Sequence, residues 1–350
     1  MQTYFANFIN GLQKNVLTEL QQKIDGVSVL AHSREYIVFR YSGNPRALLQ
    51  LRSIEDLYVC LRYLKGVDRS RSQLHRIKVS ARVADLKQAI TTAQKLGLRW
   101  RGRLRVRVRA KMTGRHNFRR VDTQYAVERG ILMRSDQICL LDRNNPHVEI
   151  CVDTRDEETY LLWRLTDKSF RQHGEKQVHM PASLRPTVAY AMVQQSQPRP
   201  DDIFLDPMCG AGTILLERAR SGYYRYLLGG DLEWQAIQTA AANIGPRHKP
   251  RALFCWNALE LPLQDHSVDK IVCNLPFGKR IALPHPDLYR DFFREASRVL
   301  RPKGRMVLLV SDKRQLVSAS KETRWKIQNV TPITLLGQRS FILSINLRAR

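Results

Sequence analysis

The chain has 350 residues, 43% of them hydrophobic, with 58 Lys and Arg against 32 Asp and Glu and a formal net charge of +26. That length exceeds one ordinary core and predicts two or three domains, and no apolar run approaches the roughly 18 residues of a membrane helix. Six scattered cysteines without a Cys-x-x-Cys pair exclude a zinc ribbon or a disulfide framework, while the basic excess points to a polyanion, nucleic acid before membrane surface.

Residues 1–65 read as a small α+β unit. Leu12, Val16, Leu17, Leu20 and Ile24 recur at helical spacing, Val27–Leu30 and Tyr36–Tyr41 are strand-like, and Arg46–Tyr63 reads as helix again. The start, Met1-Gln-Thr-Tyr-Phe, lacks the basic opening of a secretory leader, and with unpaired cysteines this predicts a cytoplasmic location. An extended Arg76–Ala81 and a helical Leu86–Leu96, closed by Gly97, follow.

From 101 to 109 every odd position is arginine: Arg101, Arg103, Arg105, Arg107 and Arg109 alternate with Gly102, Leu104, Val106 and Val108. In a strand this period of two puts guanidinium groups on one face and apolar groups on the other. Like charges so close repel, so the row needs phosphates, or carboxylates on a neighbouring strand. Lys111, Arg115, Arg119 and Arg120 continue the theme, and phosphate contact is the favoured expectation for all of them. Asp122–Leu132 then reads as helix, Ile138–Leu141 and Val148–Thr154 as strands, and residues 156–180 as a linker or hairpin.

Beyond a helix ending near Gln195 the pattern becomes a strand-helix alternation, with strands expected at Ile203–Leu205, Leu227–Asp231, Ala252–Cys255, Lys270–Asn274 and Arg305–Val310. Helical spacing fills most gaps, which predicts a parallel, doubly wound sheet. Two extended runs, Lys326–Leu335 and Ser340–Leu347, join at Gly337-Gln338 as a terminal antiparallel hairpin.

Two stretches carry chemistry, both at the carboxyl ends of expected strands, where α/β sheets bind ligands. In Asp206-Pro-Met-Cys-Gly-Ala-Gly-Thr213, Gly210 and Gly212 let backbone approach a ligand, and the helix opening at Thr213 offers N–H groups to a carboxylate. S-adenosylmethionine has such a carboxylate, and its ammonium suits Asp206; Met208 and Cys209 lie in the same turn. Asp231, followed by Leu232, suits ribose hydroxyls, although a capping role at the helix from Glu233 is an equal alternative. Asn257-Ala258 ends the next strand, where an amide oxygen can accept from adenine. These features alone leave a nicotinamide oxidoreductase open.

Asn274-Leu-Pro-Phe277 resembles the (Asp/Asn)-x-Pro-(Tyr/Phe) signature of enzymes that methylate exocyclic amino groups. The nitrogen of such a group is a poor nucleophile because its lone pair is delocalised into the ring. Acceptors at the Asn274 side chain and the Leu275 carbonyl would orient it, Pro276 would fix the turn, and Phe277 would stack on the base. Lys279 and Arg280 stand beside it, suited to a phosphate.

Arg105-Val-Arg-Val-Arg-Ala-Lys-Met-Thr-Gly-Arg-His-Asn-Phe118 and Asn145-Pro-His-Val-Glu-Ile-Cys-Val-Asp153 resemble the later half of a THUMP domain. In order, the whole chain resembles the THUMP-containing tRNA guanine-N2 methyltransferases. The resemblance implies a ferredoxin-like domain over 1–65, a THUMP RNA-binding domain over 66–155, a linker over 156–180 and a class I Rossmann-like methyltransferase domain over 181–350. It also implies S-adenosylmethionine as cofactor, the acceptor stem and 3′ end of tRNA as partner and N2-methylguanosine at position 6 as product; the cysteine spacing leaves no metal expected, and a monomer is the expectation for the assembly. Another tRNA guanine, rRNA, adenine in DNA, or binding of RNA without catalysis remain the alternatives.

Overall fold

The computed structural model describes residues 1–66, 68–174, 183–276, 287–321 and 325–347. The chain divides into two compact units, Met1–Asn7 with Glu19–Lys168, and Phe8–Thr18 with Ser169–Arg350.

The first unit is built on one eight-stranded sheet. Its strands are β1 (Gln2–Asn7), β2 (Ser28–His32), β3 (Tyr36–Tyr41), β4 (Asp56–Lys65), β5 (Leu104–Thr113), β6 (Cys139–Leu141), β7 (Val148–Arg155) and β8 (Glu158–Arg164), in the order β2-β3-β1-β4-β8-β7-β5-β6. Its helices are the end of α1 (Gln13–Lys23), then α2 (Pro45–Leu48), α3 (Gln73–Arg82), α4 (Lys87–Lys95) and α5 (Arg120–Leu132). The stretch expected as a linker or hairpin supplies β8, which forms a hairpin with β7 and pairs with β4 on its other side. Through β8 the two small domains expected over 1–65 and 66–155 share one sheet.

Two local expectations are corrected. Arg46–Tyr63 is helical only in α2; the rest leads into β4, whose Leu57, Tyr58 and Val59 are buried consecutively. A strand covered on both faces loses its alternation, so its apolar run passes for helix. Arg76–Ala81 lies in α3, where Ile77, Ser80 and Ala81 are buried at helical spacing while Val79 is 40% exposed. The alternation Ile77, Val79, Ala81 mimics a strand.

The second unit carries a seven-stranded sheet in the order β11-β10-β9-β12-β13-β15-β14. Its elements are α6 (Pro186–Gln195), β9 (Ile203–Asp206), α7 (Thr213–Ala219), β10 (Tyr226–Asp231), α8 (Trp234–Ile244), β11 (Arg251–Cys255), β12 (Val268–Asn274), α9 (Leu288–Val299), β13 (Leu300–Val310), α10 (Lys313–Lys321), β14 (Trp325–Leu335) and β15 (Gln338–Leu347). β9 to β13 run parallel, and β15 inserts antiparallel between β13 and β14, the expected terminal hairpin. Ile271, Val272 and Cys273 of β12 and Met306 to Val310 of β13 are fully buried, as a sheet covered on both faces requires.

Phe8–Thr18 belongs to this second unit, not to the domain expected over 1–65. Asn15 Nδ2 donates to the Ala191 carbonyl at 3.2 Å and to Gln194 Oε1 at 3.1 Å, and the Thr334 N–H donates to Asn10 O at 3.2 Å. Leu12 and Val16 are fully buried. Since β9 is paired with β10 on one side and β12 on the other, the connections leaving β9 and β12 diverge, and a crevice opens at their carboxyl ends.

Candidate active site

Both predicted turns leave the sheet at this crevice, because β9 and β12 are neighbours in register, Leu205 beside Ile271. Asp206, the last residue of β9, is 1% exposed, and its Oδ1 has no hydrogen-bond partner among the described residues. Burial raises its carboxyl well above the usual range, and the charge of Asp231 adds to that. A buried oxygen without a donor is costly, about 1–3 kcal/mol, unless a ligand supplies one. The ammonium group of S-adenosylmethionine is a donor of the right kind.

The two loop glycines have separate reasons. Gly210 has φ 49°, and a Cβ there would meet nothing within 4 Å, so the chain turns past open space. Gly212 has φ 75°, and a Cβ there would lie 3.0 Å from the Ala240 Cβ, so α7 packs closely on α8. The loop is held from outside by Asp231 Oδ2, which accepts from the Gly210 N–H at 2.9 Å, and by the Cys209 N–H, which donates to Gly230 O at 2.8 Å. Asp231 Oδ1 accepts from the Glu233 N–H at 3.2 Å, in the turn just before α8, whose N-cap is Glu233 itself. One carboxylate thus serves both loop and helix.

Sequence reasoning missed two residues that hold this loop. Trp256 Nε1 donates to Pro207 O at 3.0 Å, and Asn243 Nδ2 donates to Ala211 O at 2.9 Å. The available signal was the Gly229-Gly230 pair inside β10: a Cβ at Gly230 would lie 1.9 Å from Trp256 Nε1, so glycine there marks a close approach. Met208 is half-buried, Thr213 and Ala258 are buried, and Leu232 is exposed. Asn257 is exposed, with its Oδ1 accepting from the Leu259 N–H at 3.1 Å, so one of its lone pairs is already engaged in a turn.

At the end of β12, Asn274 is half-buried, and its Oδ1 also has no partner among the described residues. The following Leu275 is fully buried, and its N–H donates to Leu309 O of β13 at 3.2 Å. Pro276 O accepts from the Tyr289 hydroxyl at 3.0 Å. The predicted stacking ring of Phe277 and the basic Lys279 and Arg280 lie outside the described residues.

The arginine row of the first unit has internal partners, with Arg107 and Arg109 still partly exposed. Arg107 and Arg109 reach Glu149 Oε2 of β7 at 2.9 and 2.6 Å, and Arg164 of β8 reaches its Oε1 at 3.1 Å. Burial pushes the Glu149 carboxyl up, but the charges of Arg109 and Arg164 outweigh it and leave it below the usual range. Arg105 donates to Asn145 O at 2.7 Å with Asp142 at 3.6 Å, and Arg103, before β5 begins, donates to Gln137 O and Cys139 O. Lys111 lies 3.8 Å from Glu35, Arg119 lies 3.5 Å from Asp122, and Arg120 donates to Ala110 O. Arg101 and Arg115 are exposed, with no ion pair among the described residues. Within β5, carboxylates face Arg105, Arg107 and Arg109.

This strand order, with a glycine loop and an Asn-Leu-Pro turn at its switch point, gives the second unit a Rossmann-like methyltransferase fold. Residues 173–339 match the UPF0020 family, described as an RMKL-like methyltransferase domain. The chain is 36% identical over 195 residues to the mouse (Mus musculus) tRNA (guanine(6)-N(2))-methyltransferase THUMP3, covering 51% of this chain and 38% of that protein. It is 33% identical over 208 residues to the tRNA (guanine(6)-N2)-methyltransferase of Thermus thermophilus, covering 58% of this chain and 61% of that one. The chain therefore spans less than two thirds of the length of either relative. The crystal structure of TrmN from Thermus thermophilus shares the fold, with a TM-score of 0.81 at 24% identity over 99% of this chain and 100% of that one.

Proposed function

We propose that the chain is an S-adenosylmethionine-dependent RNA methyltransferase that forms N2-methylguanosine, in tRNA and at position 6 of the acceptor stem. The observation that carries this reading is the Asn274 Oδ1, a buried acceptor without a partner among the described residues, at the end of β12 and beside the strand that ends in Asp206. The names of the mouse and Thermus relatives support the base, the atom and the position.

Asp206 would hold the ammonium group of the cofactor, the turn at Gly210 would admit its amino-acid end, and Asp231 would use its remaining lone pairs on the ribose. Bound there, S-adenosylmethionine supplies a methyl group on a sulfonium, which needs no activated protein nucleophile. The work left to the chain is to present the guanine amino group. Asn274 Oδ1 and the Leu275 carbonyl accept its two hydrogens, which orients the nitrogen and localises its lone pair. A carboxamide is no strong base, so the proton leaves after the methyl group arrives. A paired guanine hides its amino group, so the base must leave the stack, at a cost of a few kcal/mol met by contacts to the RNA backbone.

Contacts to the acceptor stem and 3′ end would come from the first unit, as a THUMP domain behind a ferredoxin-like part, with Arg101 and Arg115, which have no ion pair among the described residues, and from Lys279 and Arg280, which follow Asn274 closely in sequence. A monomer acting in the cytoplasm completes the reading; no helix among the described residues is long and apolar enough to cross a membrane. The test is incubation with labelled S-adenosylmethionine and total tRNA, followed by nucleoside mapping. Label in N2-methylguanosine at position 6 is the expected result. Label at another guanine moves the position, label in methyladenine overturns the chemistry, and calorimetric binding of NAD without S-adenosylmethionine rejects the class.

A further inference from the structure

Resting on the reading above, the geometry points to Tyr289 as a positioning residue for the reaction, acting through the carbonyl of Pro276. Up to Leu275 the chain is held by the sheet: Asn274 is in register with Leu309, and the Leu275 N–H donates to Leu309 O. Past that point β12 has ended, and proline has no N–H with which to bond a neighbour. Among the described residues, the hydrogen bond that holds the turn here is the one from the Tyr289 hydroxyl to Pro276 O, 3.0 Å long.

Tyr289 is in the first turn of α9, 5% exposed, and its ring belongs to the core that includes Leu275, Trp256, Phe292 and Phe293. A phenol buried that deeply must find an acceptor, and a phenylalanine would fill the same space without needing one. The hydroxyl therefore does something the ring does not. It holds the Pro276 carbonyl toward α9. In the proposed role this keeps the preceding carbonyl, that of Leu275, in place to accept from the amino group alongside Asn274 Oδ1. Burial, and after it the charge of Asp312, raises the Tyr289 phenol above its usual range, so it keeps the proton it donates.

The test is Tyr289→Phe in the full chain, measured against the parent protein and Asn274→Ala with S-adenosylmethionine and a tRNA transcript. A displaced near-attack geometry predicts a kcat about 10- to 100-fold lower, with KM for both substrates and the melting temperature close to those of the parent. Combined with Asn274→Ala, it should lower the rate no further than Asn274→Ala alone, since both act on one geometry. An unchanged kcat, a loss expressed in KM, or additive losses in the double variant would each overturn the role. Should Tyr289→Phe fail to fold, Tyr289→Leu must show the same split, and failure of both to fold marks the side chain as core filling only. A parent protein without methyl transfer would instead remove the functional reading itself.

Discussion

The β5–β7 region of the first unit and the carboxyl edge of the second unit's sheet treat their polar groups in opposite ways. Around β5 the charges are answered from within: Glu149 is gripped by Arg107, Arg109 and Arg164, and Arg105 has Asn145 O and Asp142. At the ends of β9 and β12, Asp206 Oδ1 and Asn274 Oδ1 are buried with no partner among the described residues. A cluster that satisfies itself explains its own residues by stability. A buried acceptor left open calls for something outside the chain. The louder sequence signal is thus the better satisfied of the two within the described residues.

Asn274 separates the two regions most directly. Asn274→Ala removes an acceptor on which nothing else among the described residues depends, so folding and RNA affinity should stay near those of the parent. Methyl transfer should fall by about 10²–10³ or more, the size of losing one preorganised polar group in a transition state. Single-turnover rates at saturating RNA check this; a loss of affinity with an unchanged rate per bound RNA would place Asn274 in binding instead.

Two carboxyls sharpen the contrast through pH. Glu149 has its folded pKa below the unfolded value, so its contribution is complete above about pH 4.3 and is lost as pH falls toward the folded value. Glu149→Gln should cost about 2 kcal/mol near neutrality, less than the roughly 3–5 kcal/mol of a fully buried pair because Arg107 and Arg109 are partly exposed. The deficit should shrink as pH drops below about 4.3. Asp206 has the opposite sign, since its folded pKa is raised above the unfolded value of about 3.9. The free protein loses stability as pH rises between those two values. Asp206→Asn should therefore stabilise it by about 1 kcal/mol at neutral pH, with no effect at low pH, while weakening S-adenosylmethionine binding. Denaturation curves across pH check both, and parallel shifts in the two variants would erase the distinction between the regions.

Much of the second unit was legible because alternating strand and helix is a long-range pattern and its turns have fixed chemistry. The places of Asp206, Gly210, Gly212 and Asn274 follow from strand ends alone. Less was legible in the first unit, where β4 is buried on both faces and α3 carries a misleading alternation. The transfer of Phe8–Thr18 to the second unit could not be read, since its hydrogen bonds from Asn15 to Ala191 and from Thr334 to Asn10 join residues remote in sequence. Trp256 and Asn243 were missed for the same reason: each acts on the glycine loop from another element. Local spacing marks where a turn is, and only the assembled sheet shows what holds it.

The smallest expected effect separates cations that bind RNA from cations that bind Glu149. Each phosphate neutralised by a basic residue contributes about 0.7–0.9 to the slope of log affinity against log salt. Arg101 and Arg115 are exposed without an ion pair among the described residues, so their charges are available. Arg101→Gln with Arg115→Gln should flatten the slope by about 1.5 and leave thermal stability unchanged. Arg107→Gln with Arg109→Gln should do the reverse, lowering stability by about 1 kcal/mol with little change in slope, because those guanidinium groups already face a carboxylate. Filter binding of a tRNA transcript from low to moderate salt measures both slopes, and melting curves supply the other half. If the Arg107 and Arg109 pair flattens the slope as much as Arg101 and Arg115 do, the strand shares its arginines between Glu149 and phosphate. The line drawn between a self-satisfied sheet and an open site would then move to the edge of β5.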